Sequence, residues 1–382
     1  MEIERAVVGD RPRPGPDVIL FVAMIVLSGL GILMVYTASQ ASLAAQGLDP
    51  TSAMVKQALF AVVGLVLFLV GSLIDYRDLA GWSLIIYMVT LGVLGFVLTT
   101  PERAGTNRWI PLGPFQFQPS EFAKLAMIIA LAALLATSRE EGMRWKRFAM
   151  AIAALVIPAA LISLQPDLGT MLVFAFVAVV MLFVSGTTLR QLLVLIIGAA
   201  SGIVAVWRLD LLKAYQVQRI QSFLDPSADL LGAGFHLDRS ITAIGSGGLF
   251  GKGLLGGPLT NLSFVPVQSS DFIFTAVGEQ LGLMGGALVL LIYGVLLWRL
   301  LVIARNSRDR FGRLLTVGVA SMLAFQVFVN VGMTMGIMPV TGLPLPLMSA
   351  GGSSFLVTAL SLGVANSVWL RRTPVPGESF NA

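Results

Sequence analysis

Five ionisable side chains lie inside or beside long apolar runs of this chain, where they could do acid–base or cation chemistry. Asp271 lies in "VPVQSSDFIFTAVGEQ", where a polar stretch meets an apolar one, and Glu279 is the next-to-last residue of the same segment. Glu121 and Lys124 lie in "QPSEFAKLA", and Asp167 lies in "LQPDLGT". An ionisable group at membrane depth costs about 2.5 to 3.5 kcal/mol by insertion scales, so each one needs a structural or functional reason.

The apolar runs predict an all-α, polytopic integral membrane protein. Of the 382 residues, 56% are hydrophobic and only 12% are charged, which is about half the charge of an ordinary soluble domain. Apolar runs of about 17 to 25 residues are long enough to cross a bilayer as helices. We predict ten transmembrane helices, at approximately 18–38, 55–73, 79–99, 119–136, 148–164, 168–186, 190–207, 271–298, 314–336 and 348–369.

These runs predict one membrane domain, 18–370, flanked by the tails 1–17 and 371–382. The first run is longer than the apolar core of a signal peptide, so we interpret it as a retained helix. A large loop, 208–270, separates the seventh and eighth predicted helices. Within it, "GAGFHLDRSITAIG" favours a short interfacial helix.

The composition excludes several classes of site. The chain has no cysteine and one histidine, His236, so it can form neither a thiolate site nor a multi-histidine metal centre. The segment "GSGGLFGKGLLGG" lacks the spacing of a nucleotide-binding Walker A loop. The formal charge of +5 is better explained by membrane topology than by nucleic acid binding. Catalysis would therefore use carboxylates, Lys, Arg, hydroxyls or an oxygen-ligated cation.

The distribution of Lys and Arg predicts that both termini are cytoplasmic, because short loops rich in these residues stay inside. Sixteen of the 25 Lys and Arg residues then lie in the inner segments, whereas the short outer connections hold only Lys56, Arg103 and Arg108. This topology places the 208–270 loop outside. It also places Arg108, Glu121, Asp167 and Asp271 at or just below the outer surface, beside the Pro- and Gly-rich turn "PVTGLPLPLMSAGGSS".

Structural roles compete with functional ones at these positions. Glu121 and Lys124 could form a buried ion pair, since residues three apart share a helix face. Asp271 could cap the eighth helix and Asp167 the sixth. Irregular backbone at membrane depth, however, is tolerated only when it is buried in protein or lines a polar cavity. We therefore predict a polar cavity that opens outward with acidic groups at its rim.

Five ordered motifs resemble the RodA/FtsW/SpoVE (SEDS) family of bacterial peptidoglycan glycosyltransferases over nearly the whole chain. They are "NRWIPLGPFQFQPSEFAKLA", "QPDLGT", "FLDPSADLLGAGFHLDRSITAIGSGGLFGKG", "VQSSDFIFTAVGEQLGLMGG" and "PVTGLPLPLMSAGGSS". Within the family, "AYQVQRI" and "AIGSGGLFGKG" look more like RodA, the elongation member, than FtsW, the division member. Two departures are Ser269-Ser270, where family members often have His-Thr, and Ala350, where an aromatic residue is common.

The resemblance implies a SEDS-type fold and polymerisation of lipid II, a polyprenyl diphosphate-linked disaccharide pentapeptide, at the outer face of the cytoplasmic membrane. The family's essential aspartate matches Asp271, which we expect to be the general base of an inverting displacement. Alternatively, this carboxylate could be a ligand of a divalent cation, Mg²⁺ or Mn²⁺, and not the base. The predicted substrate-binding residues are Arg108, Glu121, Lys124, Asp167, Glu279, Ser349 and Ser353, with Arg219 and Arg239 as further candidates to stabilise the diphosphate.

The resemblance also implies a partner, a class B penicillin-binding protein that acts as transpeptidase and contacts the outer loop. The polyprenyl tail implies a lipid-facing groove between helices. Two other functions stay open. A lipid II flippase would suit ten helices, a central cavity and intramembrane charges equally well. A non-catalytic scaffold would only recruit the transpeptidase, and Asp271 would then be dispensable.

Overall fold

The computed structural model describes residues 15–100, 108–112, 115–137, 143–209, 216–217, 233–262 and 268–372. Each predicted apolar run forms a helix, and the described part of the loop 208–270 includes two further helices, Ala233–Ser246 and Pro258–Asn261. The helices are α1 (Val18–Ala45), α2 (Ser52–Leu73), α3 (Tyr76–Val97), α4 (Pro119–Ala136), α5 (Trp145–Leu164), α6 (Leu168–Val184), α7 (Leu189–Arg208), α8 (Ala233–Ser246), α9 (Pro258–Asn261), α10 (Ile273–Arg305), α11 (Arg310–Thr334) and α12 (Gly352–Leu370).

The prediction of a polytopic helical protein is confirmed. Among the residues that the structure describes, eight helices are long and apolar enough to cross a membrane, and α6 and the apolar part of α7, Leu189–Gly202, are shorter apolar helices. Helices α1 and α10 continue past their apolar runs, to Ala45 and Arg305. They do so because backbone hydrogen bonds propagate through any residue with acceptable helix propensity, whereas hydropathy marks only the part that lipid covers.

A small antiparallel hairpin adds to the predicted all-α fold. Strands β1 (Ile110–Leu112) and β2 (Phe115–Phe117) pair with Ile110 opposite Phe117. Each strand has only three residues, too few for alternation of polar and apolar residues to reveal it. The hairpin leads directly into α4, so it fixes the approach of the chain to the first turn of that helix.

The first and last helices meet at the end of the bundle where the described chain begins and ends. The Asp17 amide donates to Asn366 Oδ1 at 2.9 Å, and the Asp17 carboxylate both caps α1 through Leu20 N and accepts from Arg299 Nε at 3.1 Å. These contacts place the start of α1 and the end of α12 at the same end of the bundle. We call this the terminal end, and the opposite one the cavity end.

The Gly-rich segment of the loop packs on a break in α10. Helical geometry fails at Gly282, where φ is 68° and ψ is −166°. The loop backbone replaces the lost bonds, since Lys252 N donates to Glu279 O at 3.1 Å and Leu283 N donates to Gly248 O at 2.9 Å. A Cβ at Gly251 would lie 2.2 Å from Gln280 O. The glycines therefore permit backbone-to-backbone contact, which explains this segment without a nucleotide.

Glycines also allow α2 and α12 to pack with their backbones close together. A Cβ at Gly363 would lie 2.3 Å from the carbonyl oxygen of Phe68, and one at Gly71 would lie 3.0 Å from that of Leu360. In lipid, where apolar burial does not drive helices together, small residues favour association by such close approach.

Gly363→Ala is therefore expected to destabilise the protein by about 1 to 3 kcal/mol, because the added methyl group meets backbone that cannot rotate away. The check is the thermal unfolding midpoint of the purified protein in detergent. Gly92→Ala is the matched control, since a Cβ at Gly92 on α3 has no atom within 4 Å. Equal midpoints for Gly363→Ala and the wild type would refute the packing argument.

Candidate functional site

A polar cavity of ≈ 280 Å³ lies at the cavity end of the bundle. The first turns of α4, α6 and α12 reach it, together with the turn before α10 and the connection between α11 and α12. Its lining includes Arg108, Glu121, Asp167, Asp271, Ser353 and Ser354. The predicted convergence of Arg108, Glu121, Asp167 and Asp271 is confirmed, although these residues are far apart in sequence.

Asp271 lines the cavity and does not cap α10. The N-cap residue is Phe272, with no side-chain cap hydrogen bond, so the capping interpretation of Asp271 is wrong. Asn330 Nδ2 holds the turn by donating to Asp271 O at 2.8 Å and to Leu343 O at 2.7 Å. Ser270 Oγ lies 3.0 Å from Asp271 Oδ1. The backbone is thus fixed through Asn330, and the carboxylate faces the cavity.

The connection between α11 and α12 packs directly against this turn. Ala350 N donates to Ser269 O at 2.8 Å, and Ser349 Oγ donates to Ser270 O. A Cβ at Gly342, which has a φ of 74°, would lie 3.4 Å from Asp271 Oδ2. Ala350 itself lines the cavity, so its small side chain leaves space there.

Asp167 caps α6 and links this helix to the start of α4. Its carboxylate accepts from Thr170 N at 3.1 Å, Thr170 Oγ1 at 2.9 Å, Ser120 Oγ at 3.0 Å and Gln118 Nε2 at 3.1 Å. The capping interpretation is confirmed. Four donors hold this carboxylate in one orientation, so it ties α6 to the start of α4 at the edge of the cavity.

Glu121 and Lys124 form the predicted ion pair on the first turns of α4. Lys124 Nζ lies 2.8 Å from Glu121 Oε2, and both side chains are buried. This contact is an ion pair without hydrogen-bond geometry, and Lys124 Nζ has no hydrogen-bond partner within the described residues. Glu121 lines the cavity. The pair therefore lowers the cost of burying either charge and leaves Lys124 with donor capacity behind the cavity wall.

The two remaining predicted residues at the rim have different surroundings. Arg108 lies with its guanidinium 5.8 Å from the centre of the Trp109 ring, and both residues line the cavity. Ser353 accepts from Gln118 N at 3.0 Å and donates to Gln116 O at 3.1 Å. Ser353 thus joins α12 to the segment that includes β2.

Glu279 and Ser349 are placed away from the cavity lining. The Glu279 carboxylate accepts from Leu259 N at 3.0 Å, Thr260 N at 2.8 Å and Thr260 Oγ1 at 2.6 Å, and Lys252 Nζ lies 3.6 Å from it. Glu279 therefore fastens the segment around Thr260 to α10. Ser349 holds backbone, as described above. Arg219 lies outside the described residues, and Arg239 lies on α8 without lining the cavity.

A divalent cation would find one suitable carboxylate here. Within the described part of the chain, no group of three or more His, Cys, Asp or Glu residues could hold a metal ion. Asp167 is occupied by four donors and Glu121 by Lys124. Asp271 could serve as a single protein ligand, a pattern that suits Mg²⁺ bound mainly by substrate phosphates and water.

Comparison with known proteins identifies the family. Residues 17–373 match the FtsW/RodA/SpoVE family of cell cycle proteins. Stage V sporulation protein E of Bacillus subtilis is 37% identical over 93% of this chain and 97% of its own length. Peptidoglycan glycosyltransferase MrdB of Escherichia coli K12 is 38% identical over 81% of this chain and 84% of its own length.

A solved structure is also similar to this chain over most of its length. It is a chain from a study of how a peptidoglycan synthase complex coordinates polymerization and crosslinking, and it matches with a TM-score of 0.79 and 35% identity. The match covers 94% of this chain and 98% of that one. The chain is a multi-pass bacterial membrane protein that belongs to the FtsW/RodA/SpoVE family.

Proposed function

We propose that this protein is a peptidoglycan glycosyltransferase that polymerises lipid II at the outer face of the cytoplasmic membrane. One observation carries the proposal: the cavity brings the carboxylate of Asp271, which does not cap α10, together with the guanidinium of Arg108 at one end of a membrane bundle. A relative that is 38% identical is named a peptidoglycan glycosyltransferase, which supports the same activity.

Chain growth requires a sugar hydroxyl to attack an anomeric carbon while a diphosphate leaves. A hydroxyl is a weak nucleophile, and a positioned carboxylate that accepts its proton accelerates such a step by about 10²- to 10⁴-fold. Asp271 is the proposed general base. Because the donor is α-linked and the product β-linked, one displacement with inversion is sufficient, and no covalent intermediate on the protein is required.

The outward orientation of the cavity is part of the proposal. It is supported by the concentration of Lys and Arg in the segments assigned to the inside, since short basic loops stay in the cytoplasm. Arg299, Arg308, Arg310, Arg313 and Arg371 all lie at the terminal end, together with Asp17. Both tails would then be cytoplasmic, and lipid II would be used on the side where the cell wall is built.

A role in cell elongation is the narrower form of the proposal, and it rests on "AYQVQRI" and "AIGSGGLFGKG". The sporulation relative and MrdB are almost equally similar to this chain, so overall identity does not separate a division or sporulation role from elongation. The partner proposed from the family is a class B penicillin-binding protein, and the related synthase complex joins polymerization to crosslinking.

A lipid II flippase is the main alternative. Broken helices at membrane depth often form the substrate sites of transporters. In α10, however, the backbone groups freed at Gly282 bond to the loop around Gly248 and Lys252. The break is therefore satisfied by protein, and it lacks the exposed carbonyls and amides on which a transporter site depends.

The activity is tested with the purified full-length protein, its partner and lipid II in detergent, by separating glycan polymer from unreacted lipid. We expect polymer that depends on this chain. Liposomes with lipid II in one leaflet provide the second measurement. Movement of lipid II between leaflets without polymer in either assay would favour the flippase and overturn the proposal.

A further inference from the structure

The N-terminus of α12 opens into the cavity without a capping side chain. Its N-cap residue is Gly351, which has no side chain to accept from the first-turn amides. Gly351, Ser353 and Ser354 all line the cavity. By contrast, the nearby N-terminus of α6 is capped by Asp167. The free N–H groups of a helix start carry partial positive charge and favour an anion.

Two buried donors that line the cavity with this helix end have no hydrogen-bond partner within the described part of the chain. Ser354 Oγ and Arg108 Nε are both inaccessible to solvent, and neither has a hydrogen bond to any residue that the structure describes. Ser354 as a whole is 6% exposed. An unpaired buried polar group is costly, so its presence in a native protein calls for a ligand or another explanation. Both residues line the cavity that Asp271 lines.

The shared chemistry of these groups selects an anion with several acceptor oxygens. Arginine Nε and helix amides only donate, and a serine hydroxyl can donate as well. Two carboxylates at the rim already have partners of their own: Asp167 accepts from four donors, and Glu121 is paired with Lys124. A phosphate or diphosphate group has enough acceptor oxygens for several such donors.

We propose that the diphosphate of the donor lipid binds at the N-terminus of α12, with the Ser354 hydroxyl and Arg108 as its side-chain donors. The assignment rests on the proposed function and specifies where the leaving group lies. The bond from the anomeric carbon to the diphosphate oxygen breaks, and the diphosphate keeps the electron pair. The new bond forms from the acceptor hydroxyl, whose proton goes to Asp271. Ser354 and Arg108 stabilise the charge that develops on the leaving oxygen.

The test is Ser354→Ala, measured by binding of geranylgeranyl diphosphate and of geranylgeraniol to the purified full-length protein. We expect the variant to bind the diphosphate about tenfold more weakly or worse, the weight of a hydrogen bond to a charged group. Binding of the alcohol should not change. The thermal unfolding midpoint should stay level or rise, because the deleted hydroxyl has no hydrogen-bond partner among the residues that the structure describes.

Ser361→Ala is the matched control on the same helix. Ser361 is buried, and its hydroxyl donates to Val357 O at 2.7 Å, two turns from the cavity. It should leave binding of both probes unchanged. The proposal would be overturned if Ser354→Ala bound geranylgeranyl diphosphate as tightly as the wild type does. It would also be overturned if the wild type bound the diphosphate and the alcohol with equal affinity. Both readouts are independent of turnover, so failure to make polymer would count against the proposed function alone.

Discussion

Asp271→Asn is expected to lower glycan polymerisation by about 10²- to 10⁴-fold, the contribution of a positioned general base. The amide keeps the size of the side chain but cannot accept the proton of the attacking hydroxyl. The fold should persist, because Asp271 does not cap α10 and Asn330 holds this turn through the Asp271 carbonyl oxygen. The measurement is the initial rate of polymer formation from lipid II with the partner present.

Asp238→Asn provides the control for that experiment. Asp238 is an exposed carboxylate on α8, within the 208–270 loop, and does not line the cavity. Its variant should polymerise at the wild-type rate, and both variants should unfold at the wild-type midpoint. A normal rate for Asp271→Asn would remove this carboxylate from catalysis and would favour a scaffold, for which Asp271 is dispensable.

Lys124→Met is expected to destabilise the protein by about 3 to 5 kcal/mol, because it leaves the Glu121 carboxylate buried without its cation. Glu121 and Lys124 are both less than a twentieth exposed. The thermal unfolding midpoint should fall sharply. The double variant Glu121→Gln, Lys124→Met should recover most of the loss, since it removes both charges together.

This pair of variants separates a buried ion pair from two independent polar groups. If Lys124→Met were as stable as the wild type, the 2.8 Å contact between Lys124 and Glu121 would carry no stabilising weight. If the double variant were no more stable than Lys124→Met, the loss would come from packing of the long lysine stem.

The helices could be predicted from the sequence because an apolar run long enough to cross a bilayer has few alternatives to a helix. Their ends could not. Residues 39–45 of α1 are too polar to mark a span, yet they continue the helix, and the hydroxyl of Ser39 bonds to Val35 O at 2.7 Å. The pairing of β1 with β2 was also missed, because strands of three residues are too short to show an alternating pattern of polar and apolar residues.

The rim residues could be predicted because topology places the starts of α4, α6 and α10 on one side of the membrane. Glu279 shows the limit of that reasoning. We predicted Glu279 as a substrate-binding residue, but the loop returns to α10 and its Thr260 donates two hydrogen bonds to the Glu279 carboxylate. No pattern in the sequence indicates such a return. Ser354 was missed for the same reason, since its importance lies in the hydrogen bonds that its hydroxyl does not make within the described chain.

The most direct measurement is a structure of the full-length protein, with its partner, bound to a lipid II analogue that cannot react. Our account predicts the acceptor hydroxyl within hydrogen-bonding distance, about 3 Å, of the Asp271 carboxylate, with the donor anomeric carbon on the other side of that hydroxyl. An occupied cavity in which Asp271 contacts neither the acceptor nor the diphosphate, or a sugar head group bound at the terminal end, would contradict it.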